Sequence, residues 1–277
     1  MYKQNIMDSS TTAIIVSYKS KWIIENCIKS IEKKYKIIVI DNSRDYELKK
    51  ILEKKYKNLK VIVNNNNNGF GNAANIGALK AKTKYILFIG PDTLLENRAI
   101  TNITKIAKNF NDSFGAILPS EFKNRVNTIS EIKKNRGAAL IFMKKDIFLK
   151  VGLFDESFFL YYEDSDLLER LLKIKQKIYE VPVKFHHYYG SHDKKYNKQI
   201  EINRHWHFMW SMFNFYKNKT NYISALIYTF PILLRCFIRL CINYFFNNKK
   251  YLIYKARFNG LLNSYLKRKS WYRPNIN

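Results

Sequence analysis

A strand, a helix and a second strand follow one another within about thirty residues near the start of the chain, and this order is the strongest constraint on the fold. Residues 13–18 and 35–40 are short runs rich in β-branched residues, which predict strands, and residues 22–33 between them predict a helix. A unit of this kind joins parallel strands. The sequence therefore predicts an α/β fold, and ligands of such folds bind beyond the carboxyl ends of the strands.

Polar residues follow several of the predicted strands at this edge. Asp41 comes directly after the second strand, and the carboxylate of Asp92 follows a strand predicted at 85–89. The glycines of residues 68–77 follow a strand at 60–63 and open a predicted helix, which would let backbone N–H groups approach phosphate oxygens. Their spacing is neither that of the dinucleotide fingerprint nor that of a P-loop. The alternatives are an ordinary turn at Asp41 and a helix cap at Asp92.

The segment 154–166 places three carboxylates, Glu163, Asp164 and Asp166, directly after a run of Phe, Leu and Tyr residues. Carboxylates beside an apolar wall are costly to desolvate unless they are paired, metal-bound or used as a base. Residues 167–172 predict a helix, so acidic residues that stabilise a helix N-terminus are the alternative. The segment is therefore a candidate catalytic site.

Short motifs follow one another along residues 12–192 with a characteristic order and spacing. They are Val16-Ser17-Tyr18, Asp41-Asn42-Ser43, Asn68-Gly69-Phe70-Gly71 with Asn75 and Gly77, Pro91-Asp92, Gly137-Ala138-Ala139, and Gly152-Leu153-Phe154-Asp155-Glu156 leading to Glu163-Asp164. With these motifs the chain resembles the family 2 glycosyltransferases, and within them the bacterial rhamnosyltransferase-like group. The resemblance implies an α/β GT-A fold, in which helices flank a Rossmann-like mixed sheet, together with a nucleotide-sugar donor and inversion at the anomeric carbon.

The resemblance also implies roles for the acidic residues. Inversion is a single displacement at the anomeric carbon, in which the attacking acceptor hydroxyl loses its proton to a general base. Asp164 corresponds to the base of the family's Glu-Asp motif, and Glu163 orients the acceptor or supports Asp164. Asp166 is expected to serve the helix instead.

The resemblance places a further set of residues at the nucleotide-sugar site. They are Ser17, Asp41, Asn42, Asn68, Gly69, Asn75, Asp92, Gly137 and Ala138. Among them, Asp41 would contact the nucleoside and Asn75 would lie near the nucleotide. Gly137 and Ala138 would line the donor-sugar pocket, where small side chains leave room.

A divalent cation, Mg²⁺ or Mn²⁺, is the cofactor that the resemblance implies, because the leaving diphosphate gains negative charge. Many relatives carry Asp-x-Asp or Asn-Pro-Asp at the metal-binding strand, but here the first position is Gly90, so Asp92 supplies the carboxylate. Mg²⁺ often takes one or two protein carboxylates together with substrate phosphates and water. A second ligand is expected from His187 or His186, with a surface histidine as the alternative.

The sequence predicts a catalytic domain over 1–195 and a helical, basic extension over 196–277. Within the extension, the apolar stretch Tyr222–Phe246 is long enough to span a bilayer. Arg235 and Arg239 argue against a span, because a charge at a helix centre is costly in lipid. An amphipathic helix at the surface of an anionic membrane is the favoured prediction. Packing on the catalytic domain and contact within a homodimer are the alternatives.

The net charge is +27, from 49 Lys and Arg residues against 22 Asp and Glu residues, and it attracts polyanions. Since the sequence contains no motif of a nucleic-acid-binding domain, nucleic acid is not expected as a partner. The three cysteines have neither metal-binding spacing nor an even number, which favours a reducing cytoplasm. Residues 1–12 lack the apolar core of a signal peptide. We therefore expect a cytoplasmic protein that is peripheral on the inner membrane.

The leading prediction is an inverting glycosyltransferase with a dTDP-rhamnose-like or UDP-hexose donor. Its acceptor would be a glycan hydroxyl, on a lipid-linked precursor of a bacterial surface polysaccharide such as lipopolysaccharide or capsule. A nucleotidyltransferase on a similar sheet is one alternative, although it would not need Glu163 and Asp164. A degenerate domain that acts as a membrane scaffold is the other, favoured by Gly90 and opposed by the presence of Asp41 and Asp92.

Overall fold

The computed structural model describes residues 10–124, 126–135, 137–188 and 197–273. Its strands are β1 Thr11–Ser17, β2 Lys36–Asp41, β3 Leu59–Val63, β4 Tyr85–Ile89, β5 Thr93–Leu95, β6 Ala116–Glu121, β7 Ser130–Glu131, β8 Ile141–Lys144 and β9 Ile178–His187. Its helices are α1 Ile24–Ser30, α2 Tyr46–Lys55, α3 Phe70–Lys80, α4 Ala99–Asn109, α5 Lys145–Lys150, α6 Glu163–Lys173, α7 Asn197–Lys219, α8 Tyr222–Phe246 and α9 Asn248–Tyr265. The four strands and two helices predicted between residues 13 and 89 are confirmed, with ends that differ by a few residues.

The sheet is mixed, and its first half is parallel. β1 pairs in parallel with β2 and β4, and β2 pairs in parallel with β3, as the strand–helix–strand order predicts. β8 runs antiparallel to β4, and β5 runs antiparallel to β9. Within the described residues the sheet has nine strands in the order β3-β2-β1-β4-β8-β6-β9-β5, with β7 paired to β9. The carboxyl ends of β1 and β2 therefore lie side by side.

Both faces of the sheet are covered by helices. Successive side chains of a strand point to opposite faces, so Ala13 and Ile15 of β1 join one core cluster, and Ile14 and Val16 join the other. The first cluster also takes the apolar sides of α1, α2 and α4. The second takes those of α3 and α6. Burial on both faces explains why the parallel strands are continuous apolar runs.

Internal contacts divide the chain into two compact units. The first consists of Met1–Phe154 and Leu167–His192, and the second consists of Asp155–Asp166 and Asp193–Asn277. The sheet belongs to the first unit, and helices α7, α8 and α9 belong to the second. The predicted boundary between 195 and 196 lies outside the described residues and stays a prediction. The contacts group the acidic segment Asp155–Asp166 with the C-terminal helices.

The three long helices of the second unit pack closely on one another. A Cβ on Gly260 of α9 would lie 2.2 Å from the carbonyl oxygen of Trp206 in α7, so this crossing requires glycine. Asn221 and Asn247 cap α8 and α9, and each side chain accepts the N–H of the residue three positions later. The predicted helix at Tyr222–Phe246 is confirmed with the same ends.

Candidate active site

Two polar side chains close the adjoining carboxyl ends of β1 and β2. Ser17 is the last residue of β1 and lies opposite Asp41, the last residue of β2, and both are fully buried. The carbonyl oxygen of Ser17 accepts the N–H of Asn42 at 2.8 Å, which continues the pairing beyond the strand ends. This edge of a parallel sheet is where α/β proteins bind their ligands.

Within the described residues, only one oxygen of the Asp41 carboxylate accepts hydrogen bonds. Its Oδ2 accepts the N–H groups of Ser43 at 3.1 Å and Asp45 at 2.9 Å. Within the described residues, Asp41 Oδ1 and the hydroxyl of Ser17 have no hydrogen-bond partner. Burial raises the pKa of Asp41, and the Asp45 and Ser43 donors lower it in part. Buried polar atoms without partners are costly, so a ligand with a donor group at this edge would satisfy them.

Asn42 connects the end of β2 to the glycine loop. Its side chain donates to the carbonyl oxygen of Gly69 at 3.2 Å and accepts from the amide of Asn64 at 2.8 Å. Gly69 has φ of 94° and is the N-cap of α3, a backbone conformation that favours glycine. Asn68 is exposed beside it. The structure thus brings Ser17, Asp41, Asn42 and Gly69 together at the start of a helix, where N–H groups suit an anion.

Asn75 is buried in α3, and its amide pairs in both directions with the backbone of Phe154. The side chain donates to the Phe154 carbonyl oxygen at 3.0 Å and accepts the Phe154 N–H at 3.0 Å. These bonds fix α3 to the backbone at Phe154, where the first segment of the first unit ends. The structural role is clear, and the predicted position of Asn75 near the nucleotide stays a prediction.

Gly137 and Ala138 lie in the loop before β8. Gly137 has φ of 72°, and its N–H donates to the side chain of Asn135 at 3.0 Å. Ala138 is half-buried against the core cluster that contains α3 and α6. The loop that carries these small side chains is held by a hydrogen bond to Asn135. Their contact with the donor sugar stays a prediction.

The structure distinguishes between the two candidate histidines. β5 and β9 are antiparallel with Thr93 opposite His187, and this register places His187 Nε2 3.3 Å from Asp92 Oδ1. His186 points the other way and stacks on Phe122, with ring centroids 3.9 Å apart. Asp92 is almost completely buried. His187 is thus the histidine beside Asp92.

Asp92 and His187 supply a carboxylate oxygen and an imidazole nitrogen, which are donor types that a divalent cation accepts. A Cβ on Gly90 would lie 3.0 Å from Asp92 Oδ1, so a larger residue there would press on the carboxylate. No group of three or more His, Cys, Asp or Glu side chains that could hold a metal occurs in the part of the chain that the structure describes. A site with two protein ligands suits a cation that also binds substrate phosphates and water.

Glu163 and Asp164 begin α6 after an unusual backbone turn. Tyr161 and Tyr162 have φ of 68° and 67°, a left-handed conformation that bulky residues rarely adopt. The Asp166 N–H donates to the Tyr162 carbonyl oxygen at 2.8 Å, which starts the helix. Two consecutive residues held in this conformation cost free energy and mark a constrained position, as is common at functional sites. Asp166 is itself buried within the first turn.

The two carboxylates of the pair have different surroundings. Glu163 is buried, and within the described residues its Oε2 has no hydrogen-bond partner, whereas Asp164 is half-buried. Burial, and next the charge of Asp164, raise the pKa of Glu163 to about 8. The surroundings of Glu163 therefore favour its protonated form. When two neighbouring carboxyl groups have such different surroundings, they can take different chemical roles.

Helix α7 holds the segment that leads to this pair, a role that the sequence did not reveal. Ser211 donates to the carbonyl oxygen of Leu160 at 2.9 Å, and Arg204 Nε donates to the hydroxyl of Tyr161. The ring of Phe208 packs against Tyr161 and Tyr162, with centroids 5.7 and 5.5 Å away. The i, i+4, i+7 spacing of Arg204, Phe208 and Ser211 was the available signal, since it places them on one helical face.

Glu163→Gln is expected to make the protein more heat-stable than wild type at alkaline pH and similar to it at acidic pH. The folded protein binds the Glu163 proton more tightly than the unfolded chain does. The contribution of this proton to the free energy of unfolding of the wild type is therefore fully present below pH 4.5 and is lost as pH rises through about 8. The difference between the folded and unfolded pKa of Glu163 corresponds to a change in the free energy of unfolding that shifts Tm by several degrees or more. The measurement is thermal unfolding of both proteins from about pH 5 to about pH 9.

The exposed Glu156 gives the control, since Glu156→Gln makes the same chemical change in the same segment at a position open to solvent. Its Tm relative to wild type should stay constant over that pH range. A constant difference between Glu163→Gln and wild type would contradict the assignment of the proton to Glu163.

Comparison of the sequence with known families agrees with this geometry. Residues 12–163, more than half of the chain, match the family model described as glycosyl transferase family 2. The chain belongs to this family. The match covers the strand-end residues, the glycine loop, Asp92 and the loop of Gly137, and it ends at Glu163. No curated protein sequence matches the chain significantly. The protein is a glycosyltransferase, so neither the nucleotidyltransferase nor the scaffold alternative is retained.

Solved structures show the same fold at low sequence identity. A mannosyltransferase from Pyrobaculum calidifontis in complex with GDP-Man and Mn²⁺ has TM-score 0.60 and 14% identity, and the match covers 94% of this chain and 88% of that one. S. aureus TarS has TM-score 0.55 and 14% identity, over 95% and 93%. GalNAc-T7 with UDP, GalNAc and Mn²⁺ has TM-score 0.54 and 15% identity over 74% of this chain, which spans 52% of that protein. The predicted GT-A fold is confirmed.

Proposed function

We propose that this family 2 glycosyltransferase transfers a sugar from a nucleoside-diphosphate sugar to a glycan hydroxyl with inversion, and that Asp164 is the general base. The observation that carries the proposal is the asymmetric acid pair. Glu163 is buried, and burial and the neighbouring charge of Asp164 raise its pKa and favour its protonated form, whereas Asp164 is more accessible to an acceptor. An adjacent protonated carboxyl can donate a hydrogen bond to an acceptor oxygen and help orient it.

The reaction is a single displacement. The acceptor oxygen forms a bond to the anomeric carbon while the bond from that carbon to the diphosphate oxygen breaks. The acceptor proton passes to Asp164, and the electron pair of the broken bond stays on the nucleoside diphosphate. In this proposal Asp41 and Ser17 bind the nucleoside, because both have buried oxygens at the strand ends for which the described residues supply no hydrogen-bond partner. The start of α3 at Gly69 faces the negative charge of the donor.

Asp92 and His187 are the residues that would hold a divalent cation in this enzyme. Such a cation supplies positive charge that stabilises the leaving diphosphate. Two of the structural relatives were solved with Mn²⁺, one together with UDP and one together with GDP-Man. These ligands support a cation and a nucleotide here without deciding the base of the donor.

The sequence resemblance supports a more specific substrate pair. We infer a dTDP-deoxyhexose such as dTDP-rhamnose, or a UDP-hexose, as the donor, and a lipid-linked saccharide precursor of a bacterial surface polysaccharide as the acceptor. We further infer a cytoplasmic enzyme. Cys27, Cys236 and Cys241 are all free, which suits a reducing compartment.

The donor nucleotide should stabilise the folded protein, and a thermal-shift screen of UDP, dTDP, GDP and CDP tests this. A ligand at about 100 times its Kd adds about 2.7 kcal/mol to the free energy of unfolding. In a chain of this size each kcal/mol raises Tm by about 2–4 °C. One diphosphate should therefore raise Tm by several degrees, and by more with Mn²⁺ or Mg²⁺ than with EDTA.

The variant Asp41→Asn should reduce that shift, whereas Asp146→Asn, which alters an exposed carboxylate on α5, should leave it unchanged. No shift with any of the four diphosphates would count against a preformed donor site. An equal shift in both variants would remove Asp41 from the nucleoside contact.

A further inference from the structure

Helix α8 leaves most of its apolar surface exposed. It is 25 residues long, its most apolar window has mean hydropathy 1.8, and only 17% of that window is buried. Its inner side packs through Ala225, Thr229 and Cys236. The outer side carries large apolar residues that are about half exposed or more, and these include Ile223, Ile227, Phe230, Leu234, Ile238 and Ile242.

This exposed face forms one continuous stripe. The spacing of three and four residues from Ile223 to Ile242 keeps the side chains on one side of the helix. At 1.5 Å per residue the stripe extends about 30 Å. Soluble monomers rarely leave an apolar patch of this extent in water. By length and composition α8 could also cross a membrane.

Basic residues predominate around α8, although Lys249 pairs with Glu201 of α7 at 3.4 Å. After Glu201 the sequence contains no Asp or Glu, whereas residues 202–277 contain thirteen Lys and Arg residues. Ordinary solvated faces mix both signs. A basic segment next to an apolar stripe is complementary to a partner whose outer layer is anionic and whose interior is apolar.

Two guanidinium groups lie along the stripe itself. Arg235 and Arg239 are exposed on α8, and they line a shallow groove with Pro231, Leu234 and Ile238. Arg239 donates to the hydroxyl of Tyr254 at 3.0 Å.

Arg257 of α9 joins these two cations. Its guanidinium lies 5.6 Å from the centroid of the Tyr254 ring, and the guanidinium of Arg239 lies 5.7 Å from the same centroid. In the described part of the chain none of Arg235, Arg239 and Arg257 forms an ion pair with a carboxylate. Guanidinium groups are well suited to bind phosphate oxygens.

We propose that α8 lies in the plane of an anionic lipid bilayer, with its apolar stripe in the headgroup–acyl boundary and Arg235 and Arg239 bound to lipid phosphates. Long basic side chains can reach the headgroups while their stems stay in apolar surroundings. Basic residues near such a helix add electrostatic attraction to its apolar burial. The proposal is independent of the catalytic chemistry.

Other occupants of the stripe fit less well. In a two-fold dimer each surface meets its own copy, so Arg235 and Arg239 would approach the same cations with no acidic residue on α8 or α9 to offset them. A spanning helix would carry both arginines near its centre, where charge is costly. In the folded chain the inner side of α8 is also occupied by packing, including the buried Thr229 and Cys236.

Co-sedimentation of the full-length protein with vesicles tests the proposal. The wild type should bind vesicles of phosphatidylcholine with phosphatidylglycerol and should bind pure phosphatidylcholine much less. Arg235→Gln with Arg239→Gln should weaken binding to the anionic vesicles about 30-fold, since each cation near such a surface contributes about a factor of five. The matched control, Lys54→Gln with Lys57→Gln, removes two exposed charges from the first unit and should weaken binding much less.

The apolar stripe is tested separately. Ile227→Ser with Ile238→Ser should reduce binding at least tenfold, whereas Trp22→Ser with Leu79→Ser, which alters exposed apolar residues of the first unit, should not. Because all four side chains are about half exposed or more, these changes leave the core intact.

Three outcomes would overturn the proposal. The first is wild-type protein that stays in solution with anionic vesicles. The second is a concentration-dependent dimer, seen by sedimentation equilibrium, that Ile227→Ser with Ile238→Ser disperses without any change in vesicle binding. The third is membrane-bound protein that alkaline carbonate fails to extract, which would indicate a span. Because binding is measured without turnover, an inactive enzyme would leave these results interpretable.

Discussion

Asp164→Asn is expected to lower kcat about 10²–10⁴-fold, the contribution of a positioned general base. The amide has nearly the same shape as the carboxylate but does not accept the proton of the acceptor hydroxyl. Donor binding should survive, because Asp41, Ser17 and the loop of Gly69 are unchanged. The measurement is release of nucleoside diphosphate from the donor at saturating acceptor, alongside the thermal shift given by that diphosphate.

Glu156→Gln is the matched control, since it removes one negative charge from the same segment at an exposed position. It should keep nearly full kcat. If Asp164→Asn retained more than about a tenth of wild-type kcat, a loss well below the range for a general base, another group would take the proton. Equal losses in both variants would indicate an effect of charge alone.

The α/β fold was predictable because its signals are local. Alternate residues of β1 and β2 enter two cores, so both strands are continuous β-branched runs that stand out in the sequence. Asp41 was recognisable because it follows such a run directly, and Asp92 because only Gly90 and Pro91 separate it from the run of β4. The end of α8 at Phe246 was equally clear, since polar Asn247 and Asn248 follow the apolar stretch.

The remaining features depend on contacts between residues far apart in the chain. The partner of Asn75 is Phe154, 79 positions away, so the sequence could not show that its amide is already used. Ser211 and Leu160 are 51 positions apart, and their pairing joins the segment 155–166 to α7. The choice between His186 and His187 required the register of β5 with β9, because neighbouring residues of a strand face opposite ways.

The pairing of β5 with β9 places His187 beside Asp92, the predicted ligand of the cation. Asp92→Ala should lower kcat about 10²–10³-fold, comparable to the loss of one group that stabilises developing negative charge. The stabilisation by nucleoside diphosphate should also become insensitive to Mn²⁺. In the sequence Gly90-Pro91-Asp92, which follows β4, Asp92 supplies the carboxylate.

The two adjacent histidines supply the matched pair for this test. His187 lies 3.3 Å from Asp92, so His187→Ala should weaken Mn²⁺ binding about 10- to 100-fold, as loss of a group that ligates a metal or orients its ligand does. His186 stacks on Phe122 instead, so His186→Ala should bind Mn²⁺ as wild type does. Titration of Mn²⁺ in the presence of the nucleoside diphosphate measures both affinities. Equal affinities in the two variants would show that His187 is not a ligand of the cation. Full turnover in the presence of a chelator would show that the positive charge facing the leaving diphosphate comes from the protein's own cations.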